Sequence, residues 1–437
     1  MDKTASNHKG LIALSPLLVF LCVYLTSSIA ADDFYAVPMS FSFLVASIYA
    51  ICITRGLALE DRLKSFLKGA SEKNIVLMIC IFILAGAFAA TAKAMGAIDA
   101  IVNASLHILP GNLIYAGLFL AACFISMSIG TSVGTIVALV PIASGIAENM
   151  ALSGETGLAA SAPFVTAIIV GGAFFGDNLS FISDTTIAAT RTQGCSMSDK
   201  FKVNLRIVAP AALIVSCLYM LLGSGVNVST SGNIDWMLLV PYLMVIVLAV
   251  VGVNVLYVLV LGIAANCAIG IFSGNIDFQG FATSACEGIL SMGDLIAVTL
   301  LAGGMLELIR IGGGLDYIVG LITRRIKSKR GAELSIASLV SFANICTANN
   351  TIAIISVGRI AKDISDRFGI DPRKSASILD TFSCLVQGIL PYGAQLLMAS
   401  SLSGTTPGQI IPYLYYPLVL GICTFAAIIL RLPRKYS

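Results

Sequence analysis

A chain of 437 residues that is 57% hydrophobic and only 11% charged lies outside the range of soluble domains, and its mean hydropathy of +0.95 points to a protein that crosses a membrane many times. The net charge of +3 is small and its positive residues fall in short clusters between apolar runs, which excludes a nucleic-acid surface and makes those clusters reporters of orientation. Lys3 and Lys9 precede an apolar run from Leu11 to Ile29; Ser28-Ile-Ala30 imitates a signal-peptide cleavage site, but the run is long enough to span and is read as a retained first helix. A second span, Val37 to Thr54, leads to the basic loop of Arg55, Arg62, Lys64, Lys68 and Lys73, which the positive-inside rule makes cytoplasmic, together with the N-terminus.

A third span, Ile75 to Met95, runs toward Asp99, His107 and the Pro110-Gly111 turn. Residues 112–149 stay apolar but are interrupted at Gly130-Thr-Ser-Val-Gly-Thr135. The next segment, Pro163 to Thr190, ends at Arg191, Lys200, Lys202 and Arg206, again cytoplasmic, so 112–149 must leave and return to one face. It is expected to be a re-entrant hairpin from the outer side, consistent with flanks that hold Glu148 and Glu155 but no Lys or Arg. Spans at Ile207–Leu222, Trp236–Val251 and Asn254–Phe272 follow.

The second half repeats the layout. Leu84-Ala-Gly86 superimposes on Leu301-Ala-Gly303 at an offset of 217, which also pairs Lys93 with Arg310, Gly96 with Gly313 and Asp99 with Asp316; Thr131 and Thr135 match Thr347 and Thr351 at 216. The basic runs Arg324–Arg330 and Arg359, Lys362, Arg367, Arg373 and Lys374 flank Asn344–Thr351 on both sides, so this hairpin opens inward, opposite to the first. A broken segment from Ser377 to Leu402, interrupted at Gln387–Gln395, and a last span, Ile411–Leu430, end at Arg431, Arg434 and Lys435. The expected fold is an all-α polytopic membrane protein of about ten spans, with inverted-topology repeats (residues 1–232 and 233–437), broken helices and two re-entrant hairpins, and both termini cytoplasmic.

Chemistry concentrates in Gly171–Thr186, which places two carboxylates inside a membrane-length segment, where each costs roughly 2.5–3.5 kcal/mol on insertion scales. Asp177 and Asp184 are therefore the first candidates for an ion site, the alternative being a structural acid capped by backbone N–H groups. Gly176 and the run Asn178 to Ser183 are expected to weaken the helix and free carbonyls for a cation's oxygen shell. Irregular backbone at membrane depth is tolerated only where it lines a cavity or is buried in protein, so the four interruptions should meet. They bring Ser180, Ser183, Thr185, Thr131, Ser132 and Thr135 from the first half, and Thr347, Asn349, Asn350, Thr351, Gln387 and Gln395 from the second.

Other features have plainer readings. Asp380 suits an interfacial cap, Glu307 and Arg310 an ion pair, Lys93 a snorkelling surface charge, and Gly312-Gly-Gly314 a helix stop. Cys22, Cys52, Cys80, Cys123, Cys217, Cys267 and Cys423 lie in apolar runs and read as small core residues. The eleven cysteines contain no Cys-x-x-Cys, and His8 and His107 are far from any cysteine pair, which argues against a zinc or iron–sulfur site. No phosphate loop and no enzyme constellation is present, so ATP is not the energy source.

Phe175-Gly-Asp-Asn-Leu-Ser-Phe-Ile-Ser-Asp-Thr-Thr186 resembles the signature of NhaC-type sodium/proton antiporters of the ion transporter superfamily, and Gly130-Thr-Ser-Val-Gly-Thr135 resembles their Gly-Thr-Ser-Trp-Gly-Thr element. Phe181 stands where the family usually has Pro, and Val133 where it has Trp. The resemblance implies Na⁺/H⁺ exchange at a mid-membrane carboxylate, carries the ion-site acid onto Asp184 within Ser183-Asp-Thr-Thr186, and implies no cofactor beyond the transported Na⁺ and H⁺. A buried carboxylate lets proton and Na⁺ compete for the same oxygens. The alternative is a Na⁺- or H⁺-coupled transporter of a small organic solute, an amino acid or a hydroxycarboxylate such as malate or lactate, which the amides also suit; a channel is a poorer fit. The expected setting is the inner membrane of a bacterial cell, with the bilayer as partner and a homodimer left open.

Overall fold

The computed structural model describes residues 3–30, 38–108, 111–152, 154, 156–158, 160–180, 183–224, 235–251, 253–323, 326–433 and 436. Pro110, Glu155, Phe181, Arg324, Arg325, Arg434, Lys435 and the 232/233 boundary lie outside the described residues, as do the side chains of Lys3, His8, Lys9 and His107. Every regular element among those described is helical.

The chain opens with α1 (Lys3–Ala30), which packs on α2 (Met39–Ile53), then the amphipathic α3 (Leu59–Ala70), α4 (Lys73–Ala94) and α5 (Ala97–Ile108). Next come α6 (Ile114–Ile129), α7 (Ser132–Leu152), α8 (Ala162–Leu179), α9 (Asp184–Gln193) and α10 (Met197–Leu222). After α11 (Trp236–Val250), α12 (Val255–Phe272) and α13 (Phe278–Ser291), the same order of elements recurs. Thus α14 (Gly293–Ile311) and α15 (Gly314–Thr323) follow the pattern of α4 and α5, each pair hinged at a left-handed glycine, Gly96 or Gly313. Likewise α16 (Lys329–Thr347) and α17 (Asn350–Phe368) follow α6 and α7, and α18 (Pro372–Ile389) and α19 (Ala394–Ser403) follow α8 and α9. The short α20 (Pro407–Ile410) and α21 (Tyr415–Ile429) complete the chain.

Eight segments among the described residues are long and apolar enough to cross a membrane, or nine if the bent pair Pro407–Tyr413 and Tyr415–Ile429 is one span. Met39–Ile53 and Trp236–Leu248, expected as full spans, are shorter apolar helices, whereas the first expected span lies within the 28-residue α1. Conversely Gly111–Ser128 and Ser132–Leu152, expected as arms of one hairpin, each reach membrane length. Ala162–Gln193 has 94% of its apolar window buried, the largest share of the eight, which puts the α8–α9 segment at the centre of the bundle.

Close helix approach explains that position. A Cβ on Gly172 or Gly176 would collide with Ala122, Ser126 and the α6 backbone, and Ser126 Oγ donates to the Ala173 carbonyl at 2.6 Å. Gly176 therefore does not break the helix as expected; α8 continues to Leu179, and the glycine lets α6 lie against it. Gly86 of α4 and Gly288 of α13 meet in the same way, each leaving no room for a Cβ on the other. Apolar side chains of α9, α16, α17 and α18, with Ile428 of α21, form a cluster apart from the larger core.

Three sequence expectations change here. Cys22, Cys52, Cys80 and Cys217 are exposed, not core residues, because in a membrane an apolar run has an outward face that is as apolar as its inward one; Cys123 is buried. Lys200 and Lys374, read as charges of cytoplasmic loops, are 1% and 0% exposed, and Lys374 donates to the Leu432 carbonyl. Asp380, read as an interfacial cap, lies inside α18 at 0% exposure. Glu307 and Arg310 do form a two-bond ion pair, at 2.6 and 2.7 Å, and Lys93 is exposed.

Candidate functional site

The α6–α7 and α16–α17 connections are left-handed turns. Gly130 (φ 76°) ends α6 and Ala348 (φ 49°) ends α16, each followed by one residue before the next helix starts. This geometry pairs Thr131 with Asn349 at an offset of 218, two residues away from the register suggested by the Thr131 and Thr347 match. Asn349 N-caps α17, its Oδ1 accepting from the Ile352 N–H at 3.0 Å. In the broken helices, Ser180 and Ser183 are extended, and so are Leu390 and Gly393. Asp177 and Gln387 occupy the same place relative to these breaks, two residues before the end of α8 and of α18.

A chain of hydrogen bonds joins all four interruptions. The Ser132 N–H, at the start of α7, donates to Asp177 Oδ1 at 2.9 Å. Ser132 Oγ accepts from Gln395 Nε2 at 3.1 Å, Gln395 Oε1 accepts from Gln387 Nε2 at 2.9 Å, and Gln387 Nε2 also donates to the Ala348 carbonyl at 3.1 Å. The contact between Asp177 and the first turn of α7 is favourable twice over: it satisfies an orphan helix N–H and sets a negative charge against the positive end of the helix.

Beside this chain lies a cavity of about 490 Å³. Its polar wall holds Thr131, Ser132, Asp177, Ser183, Asp184 and Thr185 from the first half and Asn349, Asn350, Thr351 and Gln395 from the second; Leu77, Met78, Ile81 and Ile355 supply an apolar wall. Asp177 is 5% exposed, whereas Asp184, the first residue of α9, is exposed. Four expected residues stand outside the lining. Thr135 Oγ1 bonds the Thr131 carbonyl of its own helix; Ser180 is buried; Gln387 lies behind Gln395; Thr347 faces a neighbouring cavity of about 290 Å³ that shares Met78 and Asn349 with the first.

Three carbonyls at the first break, those of Asp177, Asn178 and Ser180, are not free. Ser183 Oγ donates to the Asp177 carbonyl at 3.0 Å, Thr186 Oγ1 to that of Ser180 at 2.9 Å, and Lys200 Nζ and Asn204 Nδ2 to that of Asn178 at 2.8 and 2.9 Å. The first half thus offers the cavity carboxylate and hydroxyl oxygens, the hard ligands of small hard cations, and the second half adds amides. Sequence reasoning placed Asn178 and Thr186 in the interruption without giving them a partner, and it missed Lys200, Asn204 and Asp380 around the break, and Arg191, which lines the cavity two turns beyond Asp184 on α9. A lysine in a basic cluster gives no signal of an inward direction, and the partner that draws Lys200 in is 180 residues away.

A family model described as the Na⁺/H⁺ antiporter family matches residues 10–224 and 228–432. The Na⁺/H⁺ antiporter NhaC of Alkalihalophilus pseudofirmus is 23% identical, covering 98% of this chain and 96% of its own. NhaC of Bacillus subtilis is 27% identical over 85% of this chain and 88% of its own, and the malate-2H⁺/Na⁺-lactate antiporter of the same organism is 23% identical over 93% and 92%. Among solved structures, the YdaH transporter of Alcanivorax borkumensis covers 98% of this chain and 99% of its own at a TM-score of 0.40 and 12% identity, a likeness too weak to carry argument. Membrane-length helices together with the family match make the protein an integral, multi-span membrane protein.

Proposed function

The chain belongs to the Na⁺/H⁺ antiporter family, and we propose that it exchanges Na⁺ for protons, with Asp177 as the buried carboxylate at which the two compete. One observation carries this reading. Asp177 is buried, borders the cavity and gives Oδ1 to the Ser132 N–H, and none of the ion pairs among the described residues includes it. A carboxylate so enclosed is costly to leave charged and alone, so it holds either a proton or a cation from the cavity. Asp184, exposed on the same cavity, passes cations inward, and the Ser132, Thr185 and Ser183 hydroxyls complete an oxygen shell.

Exchange needs access that alternates. The hydrogen-bonded chain from Asp177 through Ser132, Gln395 and Gln387 to Ala348 gives each hairpin tip and each break a stake in what Asp177 holds. The recurring order of elements supports residues 1–232 and 233–437 as inverted repeats that rock about this chain. In this reading the protein works without a resident cofactor, sits in the inner membrane of a bacterial cell with both termini cytoplasmic, and is a transporter, not an enzyme.

A second reading is favoured by volume. A cavity of about 490 Å³ whose lining includes apolar side chains, Arg191 and amides is large for a single ion and suits a small organic acid moving with Na⁺ or protons; the malate/lactate antiporter among the relatives supports it. Purified protein in liposomes with a pH gradient separates the two. Dissipation of the gradient by Na⁺ alone is the expected outcome; flux that requires malate, lactate or an amino acid promotes the second reading, and no flux with either sinks both.

A further inference from the structure

Lys200 of α10 and Asp380 of α18 form an ion pair of 2.6 Å with side chains 1% and 0% exposed. All three ammonium protons have acceptors: Asp380 Oδ2, the Asn178 carbonyl at 2.8 Å and the Thr186 hydroxyl at 2.7 Å. Asn204, one turn along α10, donates Nδ2 to the same Asn178 carbonyl and to Asp380 Oδ2, each at 2.9 Å. Asn178 is the residue after Asp177 in the last turn of α8; Thr186 lies in the first turn of α9 and hands its own proton to the Ser180 carbonyl. The ammonium group therefore touches both sides of the break, at the carbonyl end of α8 where a positive charge is favoured. Burial of such a pair is a poor source of stability, since desolvation offsets the attraction and apolar residues of the same volume do as well or better.

We propose that Lys200, neutralised by Asp380, is a positioning residue of the exchange centre: a fixed cation that staples α8 to α9 across their break and so sets the place of the Asp177 carboxylate. It deepens the exchange reading and rests on it. Of two carboxylates buried on adjacent helices, Asp380 is claimed by a cation built into the chain, and Asp177 is left for the mobile one. Tertiary structure thus divides the two acids between architecture and cargo, although nothing in their local sequence marks the difference.

The test uses the full-length protein in liposomes with Na⁺ as probe, initial rates being taken across Na⁺ concentrations so that KM and kcat separate. Replacing both charges at once, Lys200→Met with Asp380→Asn, avoids an unpaired buried ion and should raise the KM for Na⁺ about tenfold or more, the loss expected for charge-assisted bonds. Thr186→Val keeps both charges and removes one arm of the staple, a bond donated by the ammonium; its KM should rise by roughly threefold or more. A purely structural pair would lower the yield of folded protein or kcat and leave KM alone. A KM within about twofold of wild type in Thr186→Val and in the double variant overturns the staple while leaving exchange intact, and if the double variant does not fold, Thr186→Val decides. Wild-type protein that moves no protons in response to Na⁺ overturns the exchange reading and the staple with it.

Discussion

Asp177 and Asp184 share one cavity but not one environment. The first is enclosed and bonded to the start of α7, the second is exposed at the start of α9. Asp177→Asn keeps the shape and removes the charge for which proton and Na⁺ compete, so exchange should fall by about a hundredfold or more while the protein still inserts, a loss in keeping with an intramembrane ion ligand. Asp184→Asn should mainly raise the KM for Na⁺. The reverse ranking in liposome flux, with Asp177→Asn active and Asp184→Asn dead, would move the centre to α9. Competition makes a second prediction: in the pH range where protons compete for the exchange carboxylate, the KM for Na⁺ should rise about tenfold per pH unit of acidification for one competing proton. A flat profile between roughly pH 6 and 9, bracketing neutrality, would sink exchange at a carboxylate.

The hairpins and half-helices depend on how their ends are made. Gly130 turns at φ 76° and Ala348 does the same work at φ 49° with a side chain in place. Gly130→Ala should cost about 1–2 kcal/mol, the usual penalty of the left-handed conformation, whereas Ala348→Gly should be neutral or stabilising. Thermal unfolding in detergent reads both, and equal effects of the two would mean that the turns are not what holds the tips. At the N-terminal end of α18, Asp371 caps the helix by accepting from the Arg373 N–H at 2.9 Å and pairs with its guanidinium at 2.6 and 2.8 Å. That guanidinium holds the Asp371 carboxyl below the usual carboxylate range. A depressed acid contributes stability above its unfolded pKa of about 3.9 and loses it as pH falls through the lower folded value, so Asp371→Ala should cost about 1 kcal/mol at neutral pH and progressively less below about pH 4. A difference that persists undiminished in acid would assign the effect to packing.

For the whole molecule, the proposed inverted arrangement predicts sidedness. Ser328, exposed just before α16, should be labelled only from the cytoplasm when replaced by cysteine in a background freed of the eleven native cysteines. Labelling only from outside would overturn the topology, because α16 and α17 would then enter from the same face as α6 and α7. The recurrence of α4 to α9 in α14 to α19 would survive that result, but not its use as an alternating-access device.

Hydropathy and glycine placement alone determined that the chain is helical and membrane-spanning, where its four interruptions fall, and which hydroxyls, amides and acids they carry, since a polar group at membrane depth is too costly to be incidental. Even so, helix ends were read imperfectly: Gly176 marked a close approach to α6, not a break, and both arms of 112–149 proved long enough to span. Tertiary structure decided which polar groups are partners. Lys200 and Asp380, read as a loop charge and a cap, are 180 residues apart in sequence and 2.6 Å apart in space. It also decided that the carbonyls of Asp177, Asn178 and Ser180 are occupied and that Asp177 is the enclosed acid. The physical reason is that hydrophobic periodicity fixes which segments leave water, whereas the pairing of buried charges depends on which helices pack side by side, and that long-range choice leaves no mark on the local sequence of either partner.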